Sequence, residues 1–172
     1  MSTRVRFQEV WINGVTNESS FLASFKQKMI GRFKEEWNSK IFNSDRYSAY
    51  RQFKSLHEPE KYINDVTIKK FRDCLIRFRL GINELGVNNR YSTENYARKS
   101  CPFCPNILED ESHFLFDCPV YKDIRNKHLQ GIIGNNTDPS WSMVLMCKIP
   151  EHSRKLAMFI FYALKLREEV TV

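Results

Sequence analysis

Four residues of the types that bind metal ions lie within a short stretch of this chain, spaced C-x2-C-x8-H-x4-C: Cys101, Cys104, His113 and Cys118. Zn²⁺ prefers four thiolate or imidazole ligands in a tetrahedron, and a gap of two residues lets both thiolates of a tight turn face one ion. The alternative is three buried thiols and an unrelated histidine, because free cysteine is often buried. The number and spacing of the ligands favour a zinc site.

The last two ligands pose a geometric problem, because His113 and Cys118 are five residues apart. On one straight α-helix they would point about 140° away from each other. Cys118 precedes Pro119, however, and a residue before proline is disfavoured in the α conformation. We therefore predict a break at Cys118 and a new helix from Pro119, with Cys118 at its N-cap, where backbone N–H groups favour a thiolate.

The predicted zinc is structural, because the protein fills all four ligand positions, whereas a catalytic zinc keeps one open for water. A zinc hydrolase would also need a general base. Glu109, Glu111 and Asp117 are available, but they fit a solvated helix start equally well. We predict no catalytic residues, and zinc-dependent hydrolysis is the weaker alternative. Three thiolates and one imidazole leave the site with a net negative charge, so it calls for nearby N–H donors and cations.

Outside the cluster, apolar residues recur at helical spacing, which predicts a mostly α fold: a helical domain with one small structural-zinc element. We expect an N-terminal arm and helices in 1–64, a basic helix, linker and zinc element in 65–130, and C-terminal helices on the same core in 131–172. Individual helices are expected from Ser19-Ser20, over 45–56, over 66–85 with Asn64-Asp65 as its cap and Gly86 ending it, from Pro119, over 140–147 and over 151–169.

The composition limits where such a chain works and what it contacts. Lys and Arg outnumber Asp and Glu by 27 to 20, and this net charge of +7 permits a nucleic-acid partner. Five cysteines without a secretory signal favour a reducing compartment. No apolar run is long enough to span a membrane. We expect an intracellular protein, in the nucleus or the cytoplasm, with no membrane partner.

Basic residues are concentrated before the cysteine cluster, where 65–100 holds eight of them against four acidic residues. Such a surface can neutralise phosphates, and a tyrosine in the linker can stack on unpaired bases. The predicted nucleic-acid-binding residues are Lys69, Lys70, Arg72, Arg77, Arg79, Arg90, Tyr91, Arg98 and Lys99. The alternative is solvated helix charges and a loose linker. The segment 101–118 contains four acidic residues and no Lys or Arg, so we expect the zinc to brace the basic helix rather than to contact phosphate.

The C-terminal helix is apolar on two sides, with Leu156, Phe159, Ile160, Ala163, Leu164 and Leu166. These residues are expected in the core, and the alternative is a surface for a protein partner. Cys74 and Cys147 are expected to be core thiols rather than nucleophiles. A nucleophilic pair of Cys118 and His128 would require a cysteine without metal.

The run FRDCLIRFRLGINEL, the Arg90-Tyr91 linker and CPFC…EDESHFLFDCPVYKDIR together resemble the C-terminal segment of reverse transcriptases from non-LTR (LINE-type) retrotransposons. The resemblance covers about 65–130 and implies a C-C-H-C zinc element that helps to handle RNA or DNA. The polymerase carboxylates are absent from this sequence, so polymerase activity is not carried over. A non-catalytic, zinc-stabilised nucleic-acid-binding domain is the expected function, and a protein-interaction or scaffold module is the alternative.

Overall fold

The computed structural model describes residues 17–44, 47–54, 57–83, 85–86, 100–132 and 140–171. Over these ranges the chain is mostly helical and contains no strand, only an isolated bridge between Ser100 and Leu108. The predicted mostly α fold is confirmed. No helix in these ranges combines the length and the apolar character needed to cross a membrane. The chain divides into two compact units, Met1–Asn43 and Ser44–Val172.

In the described part of the first unit, residues 17–43, the chain forms one long helix, α1 (Glu18–Phe42). It begins slightly before the predicted Ser19-Ser20 start, because Asn17 caps it: its side-chain oxygen accepts a hydrogen bond of 3.0 Å from the Ser20 backbone N–H. At the other end, the Asn43 N–H donates to the Ser39 carbonyl.

The second unit is built around its C-terminal helix, which packs against three earlier helices of the unit, Tyr62–Asp65, Lys69–Arg79 and Lys122–Leu129. Its described elements are α2 (Ser48–Arg51), α3 (Tyr62–Asp65), α4 (Lys69–Arg79), a π-helical turn (His113–Asp117), a 3-10 turn (Pro119–Tyr121), α5 (Lys122–Leu129), α6 (Trp141–Leu145) and α7 (Pro150–Thr171).

The helix predicted over 66–85 is shorter than expected, because α4 ends at Arg79. Gly81 has a positive φ of 63°. The Ile82 N–H donates to the Arg77 carbonyl and the Gly81 N–H to the Phe78 carbonyl. This pair of bonds is the glycine-terminated Schellman motif, which satisfies the last carbonyls and stops a helix.

The other predicted helix boundaries also differ in part. Asn64-Asp65 does not cap α4 but lies at the end of α3, and Ile68 takes the N-cap position of α4. In the described part of 45–56 the helix is the single turn α2, because the i→i+3 bond from the Gln52 N–H to the Ala49 carbonyl tightens its end.

The apolar stripe of α4 enters the core through Phe71, Leu75 and Phe78, which are all buried. Ile68 and Ile82 continue the same three- and four-residue spacing, but they are 52% and 36% exposed, because they lie just outside the ends of the helix.

The C-terminal helix supplies the other side of this core. Leu156, Phe159, Ile160 and Ala163 are buried, and Leu164 and Leu166 pack at its edge. These α7 residues therefore have the core role that the sequence predicts.

Candidate metal centre

The first two cysteines are held by a tight, hydrogen-bonded turn. The Cys101 N–H donates to the Ile107 carbonyl at 2.7 Å, and the Cys104 N–H donates to the Cys101 carbonyl at 3.3 Å. Asn106 closes the turn with a positive φ of 63°, a conformation that asparagine tolerates better than most residues. Cys101 is buried and Cys104 is half-buried. The turn therefore presents two thiols to the interior.

The other two ligands are aligned by a π-helical turn. The Cys118 N–H donates to the His113 carbonyl at 2.8 Å, an i→i+5 bond. This bond closes a wider ring than an α-helix does, so residues five apart lie about one turn apart. Asp110 caps the start, because its side-chain oxygen accepts a 2.8 Å bond from the His113 N–H. The expected phase difference is thus removed partly inside the turn, and not by the break at Pro119 alone.

The predicted break at Cys118 is also present. Cys118 has φ −58° and ψ 119°, outside the helical region, and it is the N-cap of the 3-10 turn that begins at Pro119. Burial raises the pKa of the Cys118 thiol to about 12, and a hydrogen bond from the Val120 backbone N–H acts in the opposite direction. A buried thiolate at this position therefore needs a cation beside it.

The four ligand atoms form a cluster of the size that a tetrahedral ion requires. One ligand atom from each of the four residues lies within 4.8 Å of the others. The Sγ atom of Cys118 is 3.9 Å from that of Cys101 and 4.0 Å from that of Cys104. Zn–S bonds of 2.3 Å at tetrahedral angles place two sulfurs about 3.8 Å apart. The predicted residues therefore fit a four-coordinate metal ion.

The histidine supports the same conclusion. His113 is buried, and its Nε2 atom has no hydrogen-bond partner within the described part of the chain. A buried polar nitrogen without a partner costs free energy, and a metal ion on it would remove that cost. Three sulfurs and one imidazole nitrogen form a soft donor set that suits zinc better than calcium or magnesium.

The Arg125 side chain supplies a cation next to the backbone of the ligand Cys118. The Arg125 guanidinium donates from Nε to the Leu115 carbonyl at 2.7 Å and from Nη2 to the Cys118 carbonyl at 2.9 Å. Burial lowers the pKa of Arg125, and the nearby Cys118 opposes that shift. Arg125 thus clamps the end of the π turn, and with the Val120 N–H it supplies the donors that a negatively charged site calls for.

The acidic residues that the sequence suggested to be solvated differ in exposure. Glu109 and Glu111 are buried, whereas Asp117 is exposed. The Glu109 carboxylate accepts hydrogen bonds from the Gly86 N–H at 2.8 Å and from the Arg167 Nε and Nη2 at 2.8 and 3.0 Å. A carboxylate held by three donors is unsuited to act as a general base. Nothing local in the sequence marks Arg167 as its partner.

The predicted nucleic-acid-binding residues of α4 are only partly on the surface. Lys69, Lys70 and Arg77 are exposed. Lys69 pairs with Asp73 on the same helix, and Lys70 lies over the Phe161 ring at 4.9 Å. Arg72 is half-buried and donates to the Val66 carbonyl at 3.2 Å. Arg90, Tyr91, Arg98 and Lys99 lie outside the described residues.

Arg79 is wrongly assigned to that surface, because only 1% of it is exposed. Its Nη2 atom is 2.9 Å from the Glu60 carboxylate. The guanidinium lies 4.5 Å from the ring centres of both Phe53 and Tyr62. On a helical wheel Arg79 falls beside the apolar stripe, but the segments around Phe53 and Tyr62 cover that side of α4. A partner 19 residues away cannot be recognised from local spacing.

One aromatic contact joins α4 to the metal centre. The ring of Phe78, on α4, is 5.2 Å from the ring of Phe114, which lies between the ligands His113 and Cys118. Phe114 also packs against Tyr121 and against Phe159 of α7. The π turn is therefore part of the main core rather than an appended loop.

The remaining cysteines and His128 occupy ordinary packing positions. Cys147 is buried, and Cys74 is half-buried beside α7. His128 stacks on Tyr162 with ring centres 5.5 Å apart, and burial lowers its pKa.

No family model matches the chain, and neither a curated protein nor a solved structure matches it.

Proposed function

We propose that the chain is a non-catalytic, zinc-stabilised nucleic-acid-binding domain of retrotransposon reverse-transcriptase origin. It contacts RNA or DNA through α4 and the linker that follows. The observation that carries this proposal is the contact between Phe78 and Phe114. It couples the helix with the exposed cations to the turn that holds two of the four metal ligands.

The exposed cations of α4 are suited to phosphate. Lys69, Lys70 and Arg77 are exposed residues that a polyanion can reach, whereas Arg79 is buried against Glu60. The ion pair of Lys69 with Asp73 is exposed, so it costs little to exchange for a phosphate. A rigid helix fixed on a metal-braced core presents these charges without first having to be ordered.

In this proposal the zinc stabilises the fold and does not activate a water molecule for a reaction. Four protein ligands complete a tetrahedral shell and leave no position for a substrate. The reverse-transcriptase origin is supported by the shared motif, because several of its residues build the metal centre. Asp110 caps the π turn, Cys118 starts the next turn, and Arg125 clamps both.

Binding measured across a salt series tests the proposal. Fluorescence anisotropy of zinc-loaded protein with a labelled single-stranded RNA and a duplex DNA should show affinity that falls steeply with salt. The triple variant K69A/K70A/R77A should lower the slope of log K against log salt by about 0.7 per lost phosphate contact for the single strand and about 0.9 for the duplex.

The matched control is K122A/K148A/K155A, which removes the same charge from other positions. If both triple variants lose affinity equally, the binding reflects net charge and the assignment to α4 is wrong. If the parent protein binds neither nucleic acid, the proposed function fails and the protein-interaction alternative takes its place.

A further inference from the structure

A cavity of about 330 Å³ lies between α4 and α7 in the second unit. Cys74 and Arg77 line it from α4, Ile82 lines it just beyond that helix, and Phe161, Leu164 and Lys165 line it from α7. This volume is at the lower end of the range for small-ligand sites. The cavity is therefore large enough for one planar group such as a nucleobase.

The lining combines an apolar part with exposed cations. Phe161 and Leu164 are half-buried and offer apolar surface, while Arg77 and Lys165 are exposed. Glu168 also lines the cavity and is exposed, so Arg77 and Lys165 share the lining with one carboxylate. Arg167 does not add to this charge, because Glu109 neutralises it.

Lys165 can be recruited to a phosphate at low cost. Its ammonium group is 3.6 Å from Glu169, and both side chains are about 60% exposed. Such a surface ion pair contributes little free energy. Lys165 also lines a second cavity of about 330 Å³, together with Lys127, His128 and Tyr162. Lys165 therefore lines two cavities, each of which has a further basic residue in its lining: Arg77 in the first and Lys127 in the second.

The cavity between α4 and α7 lies next to the exposed basic residues of α4. Lys70, Cys74 and Arg77 are three or four residues apart and so lie along one side of that helix. Lys70 sits over the Phe161 ring at one end of this side, and Arg77 lines the cavity at the other. A polyanion bound to α4 would thus pass along the opening of the cavity.

We propose that the cavity between α4 and α7 takes one unpaired nucleotide of a single-stranded nucleic acid, with its base against Phe161 and Leu164 and its phosphates on Arg77 and Lys165. The inference rests on the proposed function and extends it: α7 belongs to the interface, and single strands bind better than duplexes. Two exposed cations at the cavity favour a nucleotide over an apolar side chain of a partner protein. A base in a duplex cannot enter without being unpaired.

The reactivity of the Cys74 thiol can report whether this cavity is occupied, because Cys74 lines it. Cys101, Cys118 and Cys147 are buried and Cys104 belongs to the metal cluster, so Cys74 is the one half-buried cysteine outside that cluster. We would treat the zinc-loaded protein with iodoacetamide at mildly alkaline pH and follow modification of the Cys74 peptide by mass spectrometry. A saturating single-stranded 12-mer RNA should slow this modification roughly five-fold or more, while a duplex of the same sequence should slow it less than about two-fold.

A charge substitution on α7 gives the second measurement. K165A should weaken single-strand binding about three- to ten-fold and leave duplex binding within about two-fold. K155A is the matched control, because Lys155 lies on the same helix and is likewise paired with a glutamate four residues away, Glu151. Its effect on both nucleic acids should stay within about two-fold.

The possible outcomes separate the two proposals. If the protein binds single-stranded RNA through α4 but Cys74 reacts at an unchanged rate and K165A behaves like K155A, this inference is overturned and the proposed function stands. The cavity would then be left for a side chain of a partner protein. If the parent protein binds no nucleic acid, both proposals fall together.

Discussion

Arg167 donates two hydrogen bonds, from Nε at 2.8 Å and Nη2 at 3.0 Å, to the two carboxylate oxygens of Glu109. The Glu109 side chain is only 1% exposed. Glu109 lies between Cys104 and His113, whereas Arg167 lies near the end of α7. One buried ion pair thus ties the loop between the two pairs of metal ligands to the C-terminal helix, 58 residues later.

Removing one partner of this pair should be costly. R167M leaves the Glu109 carboxylate buried without its cation, and we expect the free energy of unfolding to fall by about 3–5 kcal/mol. Urea denaturation of the zinc-loaded protein measures this. K155M, at an exposed pair on the same helix, should change it by less than about 0.5 kcal/mol.

The double variant E109Q/R167M tests the reason for the loss. It removes the orphaned charge and keeps an amide oxygen as an acceptor for the Gly86 N–H, so it should be more stable than R167M alone. A double variant as unstable as the sum of both single changes would show that packing, and not the unpaired charge, dominates.

Removing the metal should affect much more than the cysteine loop. Phe114, Leu115, Cys118 and Tyr121 are buried in the same core as α4 and α7. Because ligand binding and folding are coupled, chelation should lower the unfolding midpoint by roughly 10 °C or more. Hydrogen exchange should show lost protection over 101–130.

C118S should reproduce the effect of chelation, whereas C74S, which alters a cysteine outside the cluster, should bind one zinc per chain like the parent. The metal content of each variant can be measured by mass spectrometry. An unchanged thermal transition after complete zinc removal would contradict a structural role for the metal.

The sequence was sufficient for features that depend on neighbouring residues. The clustering of Cys101, Cys104, His113 and Cys118 and the break at Cys118 could be predicted, because ligand spacing and the restriction before proline act within a few positions. The π turn could not, because i→i+5 bonding leaves no distinct pattern of residues. The π turn follows from the requirement that the side chains of His113 and Cys118 meet in the same cluster.

The burial of charged residues could not be predicted from neighbouring residues. Arg79 and Glu109 look like surface residues, because most arginines and glutamates are exposed. Each is buried with a partner that lies far away in sequence, Glu60 and Arg167 respectively. Local periodicity cannot detect such a pair, since either side chain would fit a solvated helix face equally well.

Arg125 should control how tightly the metal is held. R125M removes the two hydrogen bonds to the Leu115 and Cys118 carbonyls and the cation behind the thiolates. Outer-shell changes of this kind typically cost about 10–100-fold in metal affinity. Competition with a chromophoric chelator measures the affinity, and K122M at an exposed position nearby is the control. Equal affinities for R125M and K122M would limit Arg125 to a packing role.

Substitution of two arginines on α4 by methionine should change the free energy of unfolding by different amounts. Arg77 is exposed, so R77M should change the free energy of unfolding by less than about 0.5 kcal/mol. Arg79 is buried against Glu60. Glu60 keeps Lys54 at 3.2 Å and the Tyr50 hydroxyl at 3.0 Å, so the loss for R79M should be smaller than that for R167M, about 2 kcal/mol.

Nucleic-acid binding by the same two variants should show the reverse order. R77M removes a cation that a phosphate can reach and should lower the salt dependence of binding by about one phosphate contact. R79M, assayed at a temperature where it is fully folded by circular dichroism, should bind within about two-fold of the parent, because its guanidinium lies between Phe53 and Tyr62 and away from solvent. A folded R79M variant that bound as weakly as R77M would restore Arg79 to the interface.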